Sequence, residues 1–356
     1  GNTAANYGMG TRDLMNSGSY NNKGYTPAGY TSWEKMMTGW LEPRELNGDA
    51  VIKDMKPLNE GGESYIIYNP AYRNEYYMVE HRKKSGWDRH IPGEGLLILH
   101  VDYDEEIFNY YNAPNTFKNG INDHQRLTIF HADNTEGDRN ETTDPYPYNN
   151  LNVLSNYSIP AAMLHNANTD GTKMMNIRLN RIARKENGNM SFVFGDLCSA
   201  DRSVLFSESF DDCDGTGAND NNWLTFRVGV GTFRPDNEGW NASYMKGGRH
   251  CARFGNMAPE KVTTPTIAFN GSCTMTIRVA PYAQEGTMKL NLSVDNPAIS
   301  MSKTSITMNT QEWTEFSTEV SGSGDAKITL SADCRLYIDD MMVIDNTQTG
   351  IEEAGK

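Results

Sequence analysis

Five carboxylates and two His-x-Asp pairs are the residues of this chain best suited to chemistry. In residues 204–212, VLFSESFDD, alternation puts Val204, Phe206, Glu208, Phe210 and Asp212 on one face of a strand. In residues 336–344, LYIDDMMVI, the shared face is Leu336, Ile338, Asp340, Met342 and Ile344. Each face is apolar apart from its carboxylates, so Glu208 and Asp340 are expected to point toward a core. An ionised carboxylate there must be paired, protonated or bound to a cation. The first and last strands of a sandwich commonly lie side by side, which would let the two share one cation. With Asp212, Asp214 and Asp220 from the loop DDCDGTGAND, the all-oxygen donor set suits Ca²⁺. The same residues admit a second reading, in which each carboxylate accepts backbone amides at a strand end or pairs with an arginine.

The His-x-Asp pairs also sit on strands. LLILHVDYD places Leu96, Ile98, His100, Asp102 and Asp104 on one face, and RLTIFHAD does the same for Leu127, Ile129, His131 and Asp133. With His124 close in sequence, His100, Asp102, His131 and Asp133 make a second candidate metal site, of two imidazoles and two carboxylates. Against it stands an ordinary structural role, the histidines satisfying their ring nitrogens and the carboxylates ordering the following loops. Other chemistries lack their parts. No G-x-S-x-G elbow occurs. None of the 7 histidines is followed by glutamate, so H-E-x-x-H is absent. The five cysteines, Cys198, Cys213, Cys251, Cys273 and Cys334, form no C-x-x-C pair.

The elements that would position these residues are mostly strands. YIIYNP, EYYMVEHR, GLLILHVDYD, RLTIFHAD, MNIRLNRIARK and MSFVFGD are separated by Pro, Gly and Asn clusters. Asn187-Gly188 predicts a type I′ hairpin turn. One helix is expected over residues 26–40, TPAGYTSWEKMMTGW, capped by Thr26, with Trp33, Met36, Met37 and Trp40 at helical spacing. A boundary falls near residues 197–203. Beyond it, six short segments alternate at period two, predicting a β-sandwich of jelly-roll type over 203–346. The expected fold is mainly β, arranged as 1–48, 49–196, 203–346 and a linker, 347–356. A net charge of −14 argues against nucleic acid or an anionic membrane as the main partner. No apolar run approaches the roughly 20 residues needed to span a bilayer.

Residues 7–43, YGMGTRDLMNSGSYNNKGYTPAGYTSWEKMMTGWLEP, resemble the segment that follows the zinc helix in secreted metallopeptidases of the immune inhibitor A type. The resemblance continues through residues 75–104 and 124–133 and covers about 6–196; Arg12 and His81 depart from the family's usual aromatic and asparagine. It implies that Met15 is the Met-turn residue, a floor beneath a zinc site. It implies too that the helix after Pro27 backs that site, and Tyr20 and Tyr25 are candidates for its substrate-side wall. The zinc ligands and general base would lie upstream in a parent that acts on proteins or peptides, so this chain alone is expected to be inactive. The chain starts inside a glycine-rich loop and reads as an internal fragment.

Residues 203–346 are similar, more loosely, to β-sandwich modules appended to secreted and surface proteases and adhesins of Gram-negative bacteria, which resemble carbohydrate-binding modules. TGIEEAGK looks like the approach to a C-terminal sorting signal, implying secretion or a cell-surface location. The alternative to the protease reading is therefore a non-enzymatic adhesin that recognises a glycan or a host surface protein. Trp223, Trp240 and Trp313 are its candidate stacking platforms, with core packing as the competing role for each.

Overall fold

A strand buried on both faces must be covered on both sides, and the first half of the molecule is built around two of them. The computed structural model describes residues 7–110, 114–116, 122–136, 141–149, 151–201, 203–223 and 226–347. The expected linker therefore lies outside the described residues beyond Thr347. Two compact units meet in sequence at residues 196 and 197. In the first, β1 (Arg44–Glu45), β3 (Tyr65–Tyr68), β4 (Glu75–Arg82), β5 (Gly95–Asp102) and β6 (Leu127–Ile129) form one sheet in the order β1-β3-β4-β5-β6. β2 (Ala50–Met55), β7 (Leu154–Ser155), β8 (Arg178–Arg184) and β9 (Met190–Phe194) form a second, in the order β2-β9-β8-β7.

Every residue of β4 and β5 is buried. Tyr77, Val79, Leu96 and Ile98 pack with Leu179, Phe192 and Phe194 of the second sheet. On the opposite face, Tyr76, Met78, Leu97 and Leu99 pack with Met9, Phe108, Trp33 and Met36. The helix that brings Trp33 and Met36 there is shorter than expected. α1 spans Ser32–Met37, and its cap is Thr31, not Thr26. The sequence T-S-W-E closes a capping box: Thr31 Oγ1 accepts from the Glu34 amide at 3.2 Å, and Glu34 Oε2 accepts from the Thr31 amide at 2.7 Å. The hairpin after β8 also differs from expectation. Gly188 has φ +83°, while Asn187 stays out of the left-handed region, and the Gly188 amide donates to the Lys185 carbonyl. That pattern is a type I turn followed by a glycine bulge rather than type I′.

The second unit begins with the short α2 (Leu197–Ala200) and β10 (Val204–Glu208). One sheet contains β11 (Met245–Gly247), β12 (Ala252–Phe254), β14 (Ile267–Pro281), β16 (Ser300–Met301), β18 (Thr314–Ala326) and β20 (Leu336–Asp345), in the order β11-β12-β20-β14-β18-β16, with β10 also paired to β20. The other contains β13 (Glu260–Thr263), β15 (Lys289–Val294), β17 (Ser305–Thr307) and β19 (Ile328–Ala332), in the order β13-β19-β15-β17. Ile277, Val279, Phe316 and Val320 of one sheet meet Val262, Leu290, Leu292 and Leu330 of the other in a single core. This is the jelly-roll-type sandwich that the alternating strands predict.

A bulge breaks the alternation on β20. Thr276 faces Met342 but Arg278 faces Asp339, so two residues of β20 oppose the single Ile277. Leu336 and Ile338 point into the core before the bulge, and Met341 and Val343 after it. Asp340, Met342 and Ile344, expected to face inward, are thereby turned out, and the buried carboxylate is Asp339. Among the described residues no helix is long and apolar enough to cross a membrane.

Candidate functional site

The opening loop is held rigidly. Arg82, fully buried, donates from Nε and Nη2 to Asp88 (2.8 and 2.6 Å) and from Nη1 to Glu80 (3.0 Å). Its Nη2 also reaches the carbonyls of Arg12 (3.3 Å) and Gly29 (3.1 Å). Arg12, equally buried, donates to Asp144 at 2.8 Å and to the Glu141 side chain at 3.3 Å. Gly18 is required for close approach, because a Cβ there would lie 2.6 Å from the Asp13 carbonyl oxygen. The methionine buried in this loop is Met9, 1% exposed, packed against Met78 and Leu97. Met15 is 79% exposed, Tyr20 78% and Tyr25 80%. Within this chain Met15 is thus a surface side chain and not a buried floor.

The five carboxylates proposed for Ca²⁺ do not fit that ion as a set. Glu208 is buried inside a cradle of donors: the amides of Asp236 (2.7 Å), Asn237 (3.1 Å) and Phe210 (3.3 Å), the Asn237 side-chain amide (3.3 Å) and the Trp240 indole (2.9 Å). A cation would have to replace hydrogen-bond donors there. Burial pushes the Glu208 carboxyl up to about 7, aided by Asp236, while those donors pull it back. Asp214 pairs with Arg234 at 2.7 Å, and Asp340 with Arg278 at 3.0 Å. Asp220 accepts the amides of Gly217 and Asn222. Asp212 lends its carbonyl, at 3.5 Å, to the same Arg234. Among the described residues no three His, Cys, Asp or Glu side chains are grouped so as to hold a metal ion.

The two His-x-Asp pairs are likewise separate. His100 lies on the face of β5 that carries Leu96 and Ile98, whereas His131 follows Leu127 and Ile129, which pack on the other side of the same sheet. His100 Nε2 meets Glu75 at 2.8 Å, and His131 Nδ1 meets Asp144 at 2.8 Å. Asp102 accepts from Arg126 (2.7 Å) and meets His124 (2.8 Å), and Asp133 accepts from Thr143 (2.6 Å). What the sequence does not reveal is a third ring: His165 stacks on His100 at 4.9 Å and on His124 at 3.8 Å. Burial, with His100 and His124 alongside, pushes His165 down to about 4. Burial opposes ionisation of Glu75, but the His100 hydrogen bond and the amides of 165 and 166 outweigh it, leaving Glu75 at about 2.

These shifts predict an acid limb in the stability of the first unit. From pH 6.5 down to about 4, the unfolded chain takes up a proton at His165 that the folded chain refuses, so stability falls with pH. Below 4.5, loss of the Glu75 charge adds to it as pH falls toward 2. Urea unfolding at stepped pH is expected to show this limb, flattened between pH 6.5 and about 4 in His165→Gln. An unchanged limb in the variant would assign the acid sensitivity elsewhere.

The tryptophans divide. Trp240, 6% exposed, is a core residue whose indole holds Glu208, so it offers no stacking face. Trp223 and Trp313 are half-buried and pack edge-on to the Tyr337 ring at 6.3 and 6.4 Å.

An open aromatic surface with a concave shape lies elsewhere, in the first unit. A shallow cleft, widely open to solvent and of about 470 Å³, lies between the β3–β4 turn and the π-helical turn Glu106–Tyr110 that follows β5. Tyr72, Tyr103 and Tyr110 line it, together with Asp104, Glu105 and Glu106 and the amides of Asn74 and Asn109. Its base is rigid. The Tyr103 amide donates to the Asn74 carbonyl at 2.8 Å, and the Asn109 side-chain amide donates to the Tyr103 hydroxyl at 3.1 Å. Phe108 anchors the turn, its ring 5.0 Å from Tyr103 and 5.3 Å from Trp33. Tyr110 is 79% exposed and Tyr72 39%. Arg73 is drawn off: it pairs with Glu45 at 3.0 Å and lies 3.7 Å over the Tyr68 ring. The run DYDEEIFNYYN carried the signal for this site, as a cluster of tyrosines, amides and acids between a strand and a loop. π-Turns occur often at functional sites.

No family model matches the chain, and no curated protein does. Among solved structures the chain is similar to the tandem CBM22 domains of Paenibacillus barcinonensis Xyn10C, at 13% identity over 43% of this chain and 47% of that one, with a TM-score of 0.28. It therefore spans about half of that tandem. It is also similar to the C-terminal CBM6 of a marine laminarinase, LamC, from Zobellia galactanivorans (16% identity, 31% and 93% covered, TM-score 0.24). A third is the CBM6cm-2 module of Cellvibrio mixtus lichenase 5A, solved with cellotriose (14% identity, 40% and 97% covered, TM-score 0.24). With scores this low, the residues of the chain itself are the ground for its function.

Proposed function

We propose that this chain is a non-catalytic glycan-binding protein of the cell surface or surrounding medium, and that the tyrosine-lined cleft of its first unit is the sugar site. The observation that carries the reading is the lining itself. Flat tyrosine rings offer faces to the apolar side of a pyranose, while carboxylates and amides beside them exchange hydrogen bonds with its hydroxyls. The volume of about 470 Å³ falls in the usual range for small-ligand sites, roughly 300–1,000 Å³. On a glycan array, the whole chain is expected to retain a defined set of oligosaccharides. Tyr110→Ala should weaken them by about 2 kcal/mol, roughly 30-fold, because Tyr110 is the most open wall. Uniform silence of the array, or binding untouched by Tyr110→Ala, would overturn the assignment.

A second reading makes the chain the non-catalytic portion of a secreted zinc endopeptidase. One observation favours it: Met15, Tyr20 and Tyr25 stand almost fully exposed on a loop fixed by two buried arginines, an arrangement suited to being covered. On this reading a peptidase assay of the chain with added zinc should show no turnover. Turnover at ordinary enzymatic rates would contradict both readings.

A further inference from the structure

We infer that the cleft selects cationic sugars, oligomers of 2-amino-2-deoxyhexose with free amines, over neutral or acidic ones; this rests on the proposed glycan site and narrows its ligand class. Three carboxylates, Asp104, Glu105 and Glu106, line the cleft with no Lys, Arg or His among the lining residues. The nearest basic residue in sequence, Arg73, is committed to Glu45 and to the Tyr68 ring. Among the described residues nothing in the cleft balances its charge, and a ligand ammonium would. Glu105 and Glu106 are exposed and stand free to turn toward it, while Asp104 Oδ1 is engaged by the Ile107 amide at 3.0 Å.

The tyrosine walls act in the same direction. An ammonium group close to an aromatic face is attracted by the ring quadrupole. Acidic sugars meet the opposite field, both in the cleft and from a chain of net charge −14. A basic peptide would satisfy the carboxylates as well. Asn74 and Asn109 in the lining favour the sugar, since a side-chain amide carries both donors and an acceptor for hydroxyls, which a lysine or arginine side chain lacks.

Calorimetry on the full chain tests this with three hexamers: glucosamine, N-acetylglucosamine and glucuronate, each at low and high salt, with hexalysine as the peptide probe. The glucosamine hexamer is expected to bind at least about tenfold more tightly than the N-acetylated one at low salt, and the ratio should shrink as salt screens the carboxylates. In the double variant Glu105→Gln, Glu106→Gln that ratio should fall toward one. Equal or tighter binding of the N-acetylated hexamer, or binding of the glucuronate hexamer, would overturn the cationic preference and leave the glycan site standing. Tighter binding of hexalysine than of any sugar would overturn it in favour of a peptide. Silence of all the sugars would overturn the glycan site itself.

Discussion

Replacing Glu208 with alanine is expected to lower the unfolding transition of the second unit by on the order of 10 °C, the largest single effect foreseen there. The carboxylate accepts from three backbone amides, one side-chain amide and the Trp240 indole. Those donors sit where β10 meets the 236–240 turn, and Glu208 is fully buried. Alanine leaves several of them without an acceptor, at about 1–3 kcal/mol for each that water cannot reach, so a total near 3–5 kcal/mol is expected. Glutamine should not rescue it, because its amide would present a further donor to a cradle of donors. The readout is thermal unfolding followed by tryptophan fluorescence, which Trp240 reports directly. The same cradle predicts that chelator leaves this transition in place. A marked Tm rise on adding Ca²⁺ would contradict it and return the carboxylates of this unit to metal binding.

Arg82→Met is expected to release the opening segment, residues 7–31, from the first unit. Arg82 is the only counter-charge bonded to both Glu80 and Asp88 among the described residues, and it also donates to the carbonyls of Arg12 and Gly29. Burial works against the guanidinium's charge, yet Glu80 and Asp88 hold its pKa above the ordinary arginine value. Removing it strands two buried carboxylates, a loss of about 3–5 kcal/mol. Because Asp88 also accepts from the Gly29 amide and Glu80 from the Ser32 amide, the damage should spread along the loop and into α1. Hydrogen exchange should accelerate in residues 7–37 before it does in β8 and β9. Arg82→Lys should recover only part of the protection, since an ammonium cannot make the paired contact with Asp88. Unchanged exchange in the methionine variant would show that the loop is held by something other than this network.

Much of the fold was readable from spacing. The fully buried runs of β4 and β5 and the period-two strands of the sandwich needed only alternation and turn residues to be recognised. The site was far less legible, for identifiable reasons. Alternation fails at a bulge, and the shift opposite Ile277 exchanged the roles of Asp339 and Asp340. The same His-x-Asp pattern also meets different surroundings: His100 and Asp102 lie within β5, whereas β6 ends at Ile129 and leaves His131 and Asp133 in the turn beyond it. Whether a buried carboxylate meets donors or a cation depends on distant segments: the turn that cradles Glu208 lies about thirty residues away, and the Tyr72 and Tyr110 walls of the cleft come from separate connections. A local pattern holds no record of such meetings. Thr31 is the contrary case, where the capping-box residues were present in the sequence and a more N-terminal threonine drew the assignment.

The most direct test of a sugar site in the cleft is solution NMR of the whole chain, titrated with whichever oligosaccharide the array retains. Perturbations are expected to concentrate on residues 72–74 and 103–110, and to vanish in Tyr72→Ala and Tyr110→Ala while both proteins stay folded. Perturbations confined to residues 197–347, with those of the cleft unmoved, would place glycan recognition in the sandwich and contradict the account.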